Sequence, residues 1–117
     1  MEKWFKVMDT MIYEWRTYEA VPGKMGALHD RFERYTNKLF KKHGINIVGF
    51  WTAEIGEHDV LYYMLRYDDL AAREKTWKSL LSDPDFDSMI QKTEKDGCLV
   101  AKYSNTILRP TSYSPMK

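Results

Sequence analysis

A carboxylate and a guanidinium lie two residues apart near the start of the sequence, Glu14 and Arg16, in the segment MIYEWRTYE. The side chains of this segment alternate in a way that is typical of a β-strand, and alternation places Glu14, Arg16 and Tyr18 on one face. Side chains two residues apart along a strand are separated by about 7 Å, near enough for two long side chains to meet. Because arginine is always charged in a protein, a buried Arg16 must bind a carboxylate, a carbonyl or an anionic ligand. We expect Arg16 to bind Glu14 or a carboxylate of a second copy of the chain; on a solvated face the pair would be a weak surface ion pair.

The other groups that could do chemistry are few and scattered. The three histidines fall beside the apolar stripe of a predicted helix (His29), at the end of that helix (His43) and in a turn (His58). No acidic or thiol partner of His29 is fixed by the sequence, and a lone helical histidine is more often a boundary residue than a ligand or a base. The single cysteine excludes an internal disulfide and gives no metal-ligand spacing. The sequence therefore predicts no metal site and no cofactor, and it identifies no catalytic residue.

The strand that carries Glu14 and Arg16 is predicted over about residues 11–19, and its two faces have different compositions. Tyr13 and Trp15 belong to one face, which we assign to the side that the chain's own helices cover. Glu14, Arg16 and Tyr18 belong to the other face. We assign that second face to an interface with another subunit.

Helical and strand periodicities alternate along the rest of the chain. The predicted elements are a helix at about residues 23–43, strands at about 45–53 and 60–67, helices at about 69–81 and 83–92 with Asp68 or Asp69 capping the first of them, and a last strand at about 98–108 that is interrupted near 103–105. This order predicts an α+β sandwich, with one antiparallel sheet and helices on one face. We divide the chain into an N-terminal extension (residues 1–10), the domain (11–110) and a loose C-terminal tail (111–117).

The two strands at the centre of the sequence are apolar on both parities. A strand with one solvated face would alternate apolar with polar residues, so this hairpin predicts protein on both of its faces. The chain's helices account for one layer, and the chain is too short to supply another. We therefore predict a homodimer through the sheet face, with Ile47 and Trp51 among the residues that face the partner.

Composition indicates a single soluble domain. The 117 residues carry 18 Lys and Arg against 17 Asp and Glu, so there is no global positive charge to attract nucleic acid. No apolar run approaches the roughly 18 residues that a membrane span needs. One cysteine suits a reducing compartment, and we expect a cytoplasmic location. Four Trp, eight Tyr and five Phe are many for so short a chain, and large aromatic side chains are frequent at interfaces and in ligand cavities.

Several blocks of the sequence resemble the NIPSNAP family. They are MIYEWRTYEAVPGKM, KHGINIVGFWTAEIG, LRYDDLAAREKTWKSLLSDPDF and SNTILRP followed by SYSP, and they occur in the same order over nearly the whole domain. The resemblance implies a ferredoxin-like βαββαβ fold whose subunits pair as a dimeric α/β barrel, with the two sheets facing each other. The family has no settled reaction and no agreed catalytic residues, so the resemblance assigns none to this chain.

The related barrel architecture has its ligand pocket between the sheet and the helices. The aromatic, thioether and imidazole side chains that we place in such a pocket are Tyr13, Trp15, His29, Phe50, Met64 and Trp77. Together they would stack on a flat aromatic or hydrophobic ligand. The alternative is that these side chains are simply the packed core, since apolar stripes of this kind are usually core.

Three functions remain open at this point. The first is a homodimeric protein that binds a small hydrophobic or aromatic ligand between sheet and helices. The second is a cofactor-independent monooxygenase-like or isomerase-like enzyme that uses the same pocket, and the third is a protein-interaction module without a small ligand. Turnover would require polar groups in the pocket, and an open, polar-lined cavity would favour the first two functions over the third.

Overall fold

The computed structural model describes residues 11–117. Its elements are β1 (Ile12–Ala20), helix α1 in three segments (Met25–Arg31, Phe32–Thr36 and Asn37–Lys42), β2 (Asn46–Trp51), β3 (Val60–Tyr67), α2 (Leu70–Leu81), α3 (Pro84–Thr93) and β4 (Val100–Leu108). The strands form one antiparallel sheet in the order β2-β3-β1-β4. The helices cover one face of this sheet, which confirms the predicted α+β, ferredoxin-like fold. The N-terminal extension predicted for residues 1–10 lies outside the described residues.

The helix boundaries have local causes that the sequence shows. The Asp69 carboxylate accepts a hydrogen bond of 2.7 Å from the backbone N–H of Ala72, so Asp69 rather than Asp68 caps α2. Asp83 caps α3 by accepting from the N–H of Asp85, and Pro84 occupies the first helical position. Gly44 follows α1 with a φ of 74°, the left-handed conformation that glycine adopts at low cost.

The middle segment of α1, Phe32–Thr36, is π-helical. A π turn holds one more residue than an α turn and is frequent at functional sites. The sequence analysis predicted a continuous helix with a regular apolar stripe and did not identify this wider turn. Its end residues Phe32 and Thr36 are buried.

The core lies between the sheet and the helices. Strand β3 contributes alternate buried side chains to it, and its large member, Tyr63, is fully buried. Other fully buried side chains come from β1, β3, the helices α1 and α2, and the residue before β4: Ile12, Leu65, Leu28, Phe40, Leu80 and Leu99. The side of β3 that faces away from the helices is only partly buried. We call this side of the whole sheet the open face.

The two faces of β1 are the reverse of our prediction. The buried Glu14 accepts hydrogen bonds from Arg73 of α2, so Glu14, Arg16 and Tyr18 face the helices. Trp15 contacts Tyr62 on the open face. The prediction failed because both parities of this strand carry aromatic residues, and we assigned the larger rings to the covered face. We did not allow for a helix that supplies a positive charge to a buried Glu14.

A bulge in β2 separates two residues that simple alternation places together. The register against β3 shifts between Ile47 and Gly49. Ile47 therefore pairs with Leu65 and packs against the core, whereas Trp51 pairs with Tyr62 on the open face. Trp51 lies on the predicted side, and the prediction that Ile47 faces a partner is wrong.

The C-terminal part of the chain is more ordered than we predicted. β4 pairs with β1 without interruption through Tyr103–Asn105. The residues after β4 fold back on the open face, where the Tyr13 hydroxyl donates a hydrogen bond of 2.5 Å to the carbonyl of Lys117. This contact places the end of residues 111–117 against β1, and whether these residues form a loose tail stays a prediction.

Candidate functional site

A buried carboxylate lies at the centre of the helix-facing side of the sheet. Glu14 has no exposed surface and accepts five hydrogen bonds. Oε1 accepts from the Tyr67 hydroxyl (2.8 Å) and from Nε of Arg73 (3.0 Å). Oε2 accepts from Nη2 of Arg73 (2.9 Å), Nη1 of Arg16 (2.8 Å) and Nδ2 of Asn105 (2.8 Å). Glu14, these four hydrogen-bond donors and Tyr63 form a group that we call the Glu14 cluster: Glu14, Arg16, Tyr63, Tyr67, Arg73 and Asn105.

These hydrogen bonds keep Glu14 ionised. Burial alone would raise the pKa of this carboxyl group, but hydrogen bonds from Arg73, Asn105 and Tyr67 and the charge of Arg16 outweigh burial and lower the pKa to about 2. Glu14 is therefore negative at any physiological pH and does not exchange a proton near neutrality. Its role is to hold its donors in place.

Arg16 is also held on every side. Its Nε donates to the Tyr63 hydroxyl (2.8 Å), Nη1 to Glu14 and Nη2 to the Tyr18 hydroxyl (2.9 Å). Its guanidinium carbon lies 4.7 Å from the ring centre of Trp77, within the range of a cation–π contact. Burial lowers the pKa of Arg16, but the interactions with Tyr63, Tyr18 and Glu14 more than reverse this and raise it. The prediction that Arg16 binds Glu14 is confirmed, although on the helix side of the sheet.

The two phenols of the cluster are poor acids. Burial raises the pKa of Tyr67, and it raises the pKa of Tyr63 well above its ordinary value. Both hydroxyls thus remain protonated at neutral pH. They serve as hydrogen-bond donors and acceptors rather than as bases.

An aromatic cleft begins next to this cluster, between the sheet and the helices. It encloses a cavity of about 90 Å³, and its wall consists of Tyr18, Arg31, Phe32, Thr36, Phe40, Trp77, Phe86, Met89, Ile90 and Tyr103. Tyr18 joins the cluster to the cleft, because its hydroxyl binds Arg16 and its ring packs edge-on against Phe32 and Tyr103. Tyr103 on the edge strand β4 is 62% exposed, so the cleft opens to solvent at this edge.

The six residues predicted to line one pocket do not meet in the structure. Trp77 lines the aromatic cleft, and Phe50 packs on the helix side against Phe32 and Tyr63. The residues placed on the open face are Tyr13, Trp15 and Met64. His29 is exposed on α1 and lines neither region. Whether any of them binds a ligand stays a prediction.

The open face carries its own group of aromatic side chains. Trp15 packs against Trp51 and Tyr62 with ring centres 5.9 and 5.8 Å apart, and Trp51 is 46% exposed. The hydroxyls of Thr17 and Ser104 form a hydrogen bond across β1 and β4. At one end, a depression of about 270 Å³ separates the folded-back tail from the sheet. Within residues 11–117, the folded-back tail covers the end of this face near Tyr13, and no helix covers the rest.

Sequence reasoning missed four members of the Glu14 cluster: Tyr63, Tyr67, Arg73 and Asn105. A signal existed for Arg73, because it shares the inner stripe of α2 with Trp77 and Leu80. A cation on the covered side of a helix requires a buried anion, and Glu14 was the candidate on the neighbouring strand. No comparable signal marks Asn105, whose position depends on the pairing of β4 with β1.

The described part of the chain contains no group of three or more His, Cys, Asp or Glu side chains suited to hold a metal ion. None of its helices is long and apolar enough to cross a membrane.

Comparison with known proteins agrees with this architecture. The NIPSNAP family model matches residues 13–115. NipSnap homolog 1 of Danio rerio is 27% identical over 106 residues, which are 91% of this chain and 36% of that protein. The chain spans about a third of the length of the curated relatives that it matches.

Two solved structures extend the comparison to the fold. A NIPSNAP family protein with unknown function from Agrobacterium tumefaciens is 28% identical, has a TM-score of 0.80 and is matched over 92% of this chain and 95% of its own. A putative antibiotic biosynthesis monooxygenase from Chloroflexus aurantiacus has a TM-score of 0.57 at 15% identity, over 92% of this chain and 100% of its own, and shares the fold alone.

Proposed function

The chain belongs to the NIPSNAP family, and we propose that it forms a homodimer and binds a small aromatic or hydrophobic ligand with an anionic group in the aromatic cleft. The observation that carries this proposal is the position of the cleft, directly beside a buried, fully hydrogen-bonded group of charges. A mostly apolar cavity with a few convergent polar groups is the usual form of a small-molecule site. The enclosed part of the cleft, about 90 Å³, is smaller than the usual site, so the ligand we propose is a single ring that extends to the open edge at Tyr103. The cluster would orient the ligand, and the rings would provide most of its contact area.

The charge of the cluster favours an anion. Glu14 carries one negative charge, whereas Arg16 and Arg73 carry two positive charges, so the sum is +1. The side chains of Arg16 and Arg73 remain 13% and 23% exposed. Arg16 adjoins two residues of the cleft wall, because it donates to the Tyr18 hydroxyl and lies over the Trp77 ring. An anionic group in the cleft would therefore lie close to a net positive charge, in surroundings where burial strengthens the attraction.

Binding fits the cluster better than proton transfer does. General acid–base catalysis is most effective when the pKa of the catalytic group is near the working pH. Glu14 titrates near pH 2, and burial raises the pKa of both Tyr63 and Tyr67. A monooxygenase-like or isomerase-like reaction that moves a proton at neutral pH would need a group that the Glu14 cluster does not provide.

The open face supports the homodimer. Exposed aromatic side chains that form a continuous patch mark association surfaces, and Trp15, Trp51 and Tyr62 form such a patch. A second copy of the chain presents the same aromatic patch, so that two sheets would cover each other at this patch. The helices and the aromatic cleft lie on the opposite side of the sheet and stay accessible in such a pair.

We also propose a reducing, cytoplasmic compartment. The single cysteine of the sequence, Cys98, is an exposed free thiol. A free exposed thiol is more stable against oxidation where thiols are kept reduced.

Calorimetric titration with benzoate, a small aromatic anion, tests the cleft. We expect benzoate to bind once per chain and more tightly than the neutral benzyl alcohol. Ile90→Phe adds volume inside the cleft and should weaken benzoate binding by about tenfold, which corresponds to about 1.4 kcal/mol. Ile55→Phe makes the same substitution at a residue that is 96% exposed, and it should leave binding unchanged.

Two results would contradict the proposal. Equal affinity in Ile90→Phe and wild type would place benzoate outside the cleft. Equal affinity for benzoate and benzyl alcohol would mean that the charge of the Glu14 cluster does not act on the ligand.

A further inference from the structure

A second concave surface lies on the outer side of the helices, between α1 and α3. It has a volume of about 300 Å³, at the lower end of the range for small-molecule sites. Its wall consists of Arg34, Tyr35, Lys38, Leu39, Lys42, Asp85, Ser88, Met89 and Lys92. A shallower depression of about 200 Å³ adjoins it and shares Arg34, Tyr35 and Lys92. We call the larger surface the basic groove.

The walls of the basic groove are held together by contacts between α1 and α3. The Thr36 hydroxyl donates to the sulfur of Met89 at 3.4 Å, deep between the helices. Nζ of Lys42 lies 3.3 Å from the Asp85 carboxylate at one end. Beside the adjoining depression, Nη1 of Arg31 donates to Glu94 at 3.0 Å. The groove is thus a formed feature of the fold and not a gap between loose side chains.

Positive charge is concentrated in this groove. Four cationic side chains and one carboxylate line it, a local excess of three in a chain whose formal net charge is +1. Lys42 is paired with Asp83 and Asp85. Arg34 approaches Asp30 only to 4.0 Å, and both are largely exposed, so this pair contributes little. Lys38 and Lys92 make no ion pair with any residue that the structure describes.

The groove also offers groups that suit an oxyanion and an organic part. The hydroxyls of Ser88 and Tyr35 are hydrogen-bond donors, and Arg34 can donate two parallel hydrogen bonds to one phosphate. Leu39, Met89 and the ring of Tyr35 provide an apolar surface. A phosphate group carries about 1.5 to 2 negative charges at neutral pH and would offset more of the excess than a carboxylate does. A concave wall increases the local potential of such a cationic group.

The π-helical segment of α1 forms part of the wall of the basic groove. Arg34 and Tyr35 belong to the π-helical segment of α1. A π turn is a rare irregularity that is frequent at functional sites. Here it contributes Arg34 and Tyr35 to the groove, while its end residues Phe32 and Thr36 line the aromatic cleft. The wider turn therefore borders two concave surfaces, which share Met89 as a common wall.

We propose that the basic groove binds the phosphate group of a phosphorylated small molecule. Arg34, Lys38 and Lys92 bind the phosphate oxygens, and Ser88 donates a further hydrogen bond. Tyr35, Leu39 and Met89 contact the organic part. This site adjoins the aromatic cleft only at Met89 and does not depend on the ligand proposed there.

Calorimetric titration with inorganic pyrophosphate tests the groove, because this ion has no apolar part that would favour the aromatic cleft. We expect one site per chain, with an affinity that falls as salt concentration rises. The double variant Lys38→Gln with Lys92→Gln should weaken binding by at least about tenfold. The double variant Lys75→Gln with Lys78→Gln removes the same charge from α2, outside the groove, and should bind as wild type does.

Equal weakening in the two double variants would show diffuse attraction to surface lysines and would overturn the proposal, as would the absence of binding to wild type. Ile90→Phe, which fills the aromatic cleft, should leave pyrophosphate binding intact; a loss there would move the anion to the cleft and also overturn the proposal.

Vesicles of phosphatidylcholine with phosphatidic acid distinguish the source of the phosphate. Sedimentation with these vesicles that requires Lys38 and Lys92 would assign the site to a lipid headgroup. Retention of pyrophosphate binding without sedimentation would assign it to a soluble phosphorylated compound. Either result requires the same side chains in the groove.

Discussion

Glu14 shows how one side chain determines the chemistry around it. Its carboxylate is buried, yet five hydrogen bonds satisfy it. The cost of burying the charge is offset only because Arg16 and Arg73 approach from two sides. Removing one partner of such a buried group leaves the others uncompensated, so single substitutions in the cluster should have large effects.

The pH dependence of stability should report Glu14 directly. Its pKa is about 2 in the folded chain against an ordinary value of 4.5, so the stabilising effect is present above about pH 4.5 and is lost as the pH falls towards 2. A shift of this size corresponds to about 3 kcal/mol of unfolding free energy. Urea unfolding at pH 7 and at pH 3 should therefore show a larger loss for wild type than for Glu14→Gln. Parallel losses in the two proteins would refute the assigned pKa.

Arg16 belongs to the interior of one chain and not to a subunit interface. Arg16→Met leaves Glu14, Tyr18 and Tyr63 without a shared partner and should lower the free energy of unfolding by about 3–5 kcal/mol. Arg16→Lys should recover only part of this, because an ammonium group cannot reproduce the planar fork. Urea unfolding measures the loss. Sedimentation of Arg16→Met should show an unchanged oligomeric state. A shift from dimer to monomer would show instead that Arg16 belongs to the subunit interface.

At the scale of elements, periodicity and caps predicted most of the fold. The two centre strands, the three helices and the order of elements were predicted within a few residues of the observed bounds. Two helix ends could be predicted because Asp83-Pro84 is typical of a helix start and Lys42-His43-Gly44 is typical of a helix end. The sequence did not reveal the bulge after Ile47 or the π turn at Phe32–Thr36, since both are irregularities that packing selects rather than local preference.

The face of a strand was harder to predict than its existence. Both parities of β1 contain large rings, Tyr13 and Trp15 on one and Tyr18 on the other. Hydrophobicity alone therefore does not distinguish them, and the decisive contact, from Arg73 to Glu14, joins residues far apart in sequence. The candidate pocket failed as a set for this reason, although Trp77 does line the aromatic cleft.

The cap of α2 provides a test at this scale. Asp69→Ala removes the acceptor of the Ala72 N–H and should lower the unfolding free energy by about 1 kcal/mol. Asp68→Ala removes an exposed carboxylate next to it and should change stability by less than about 0.5 kcal/mol. Urea midpoints of the two variants give the comparison. Equal midpoints would mean that Asp69 does not act as the cap.

At the scale of the whole molecule, the two sides of the sheet have different tasks in our proposal. The open face joins two copies, and the helix side carries the cleft and the basic groove. Light scattering at micromolar concentration should give twice the mass of one chain. Trp51→Glu should shift the equilibrium to monomer, because an unpaired charge would be buried against the partner. Ile55→Glu, in the exposed loop after β2, should leave the dimer intact. A monomeric wild type would exclude the homodimer.

A crystal structure of the protein soaked with 4-iodobenzoate tests most directly whether the aromatic cleft binds an aromatic anion. The anomalous scattering of iodine identifies the position of the ligand even where water or other molecules also occupy the cleft. We predict an iodine peak in the cleft between Tyr18, Trp77 and Tyr103, with the carboxylate directed towards Arg16. A peak confined to the open face or the basic groove, or a cleft without iodine at saturating ligand, would exclude the cleft as the binding site of the aromatic anion.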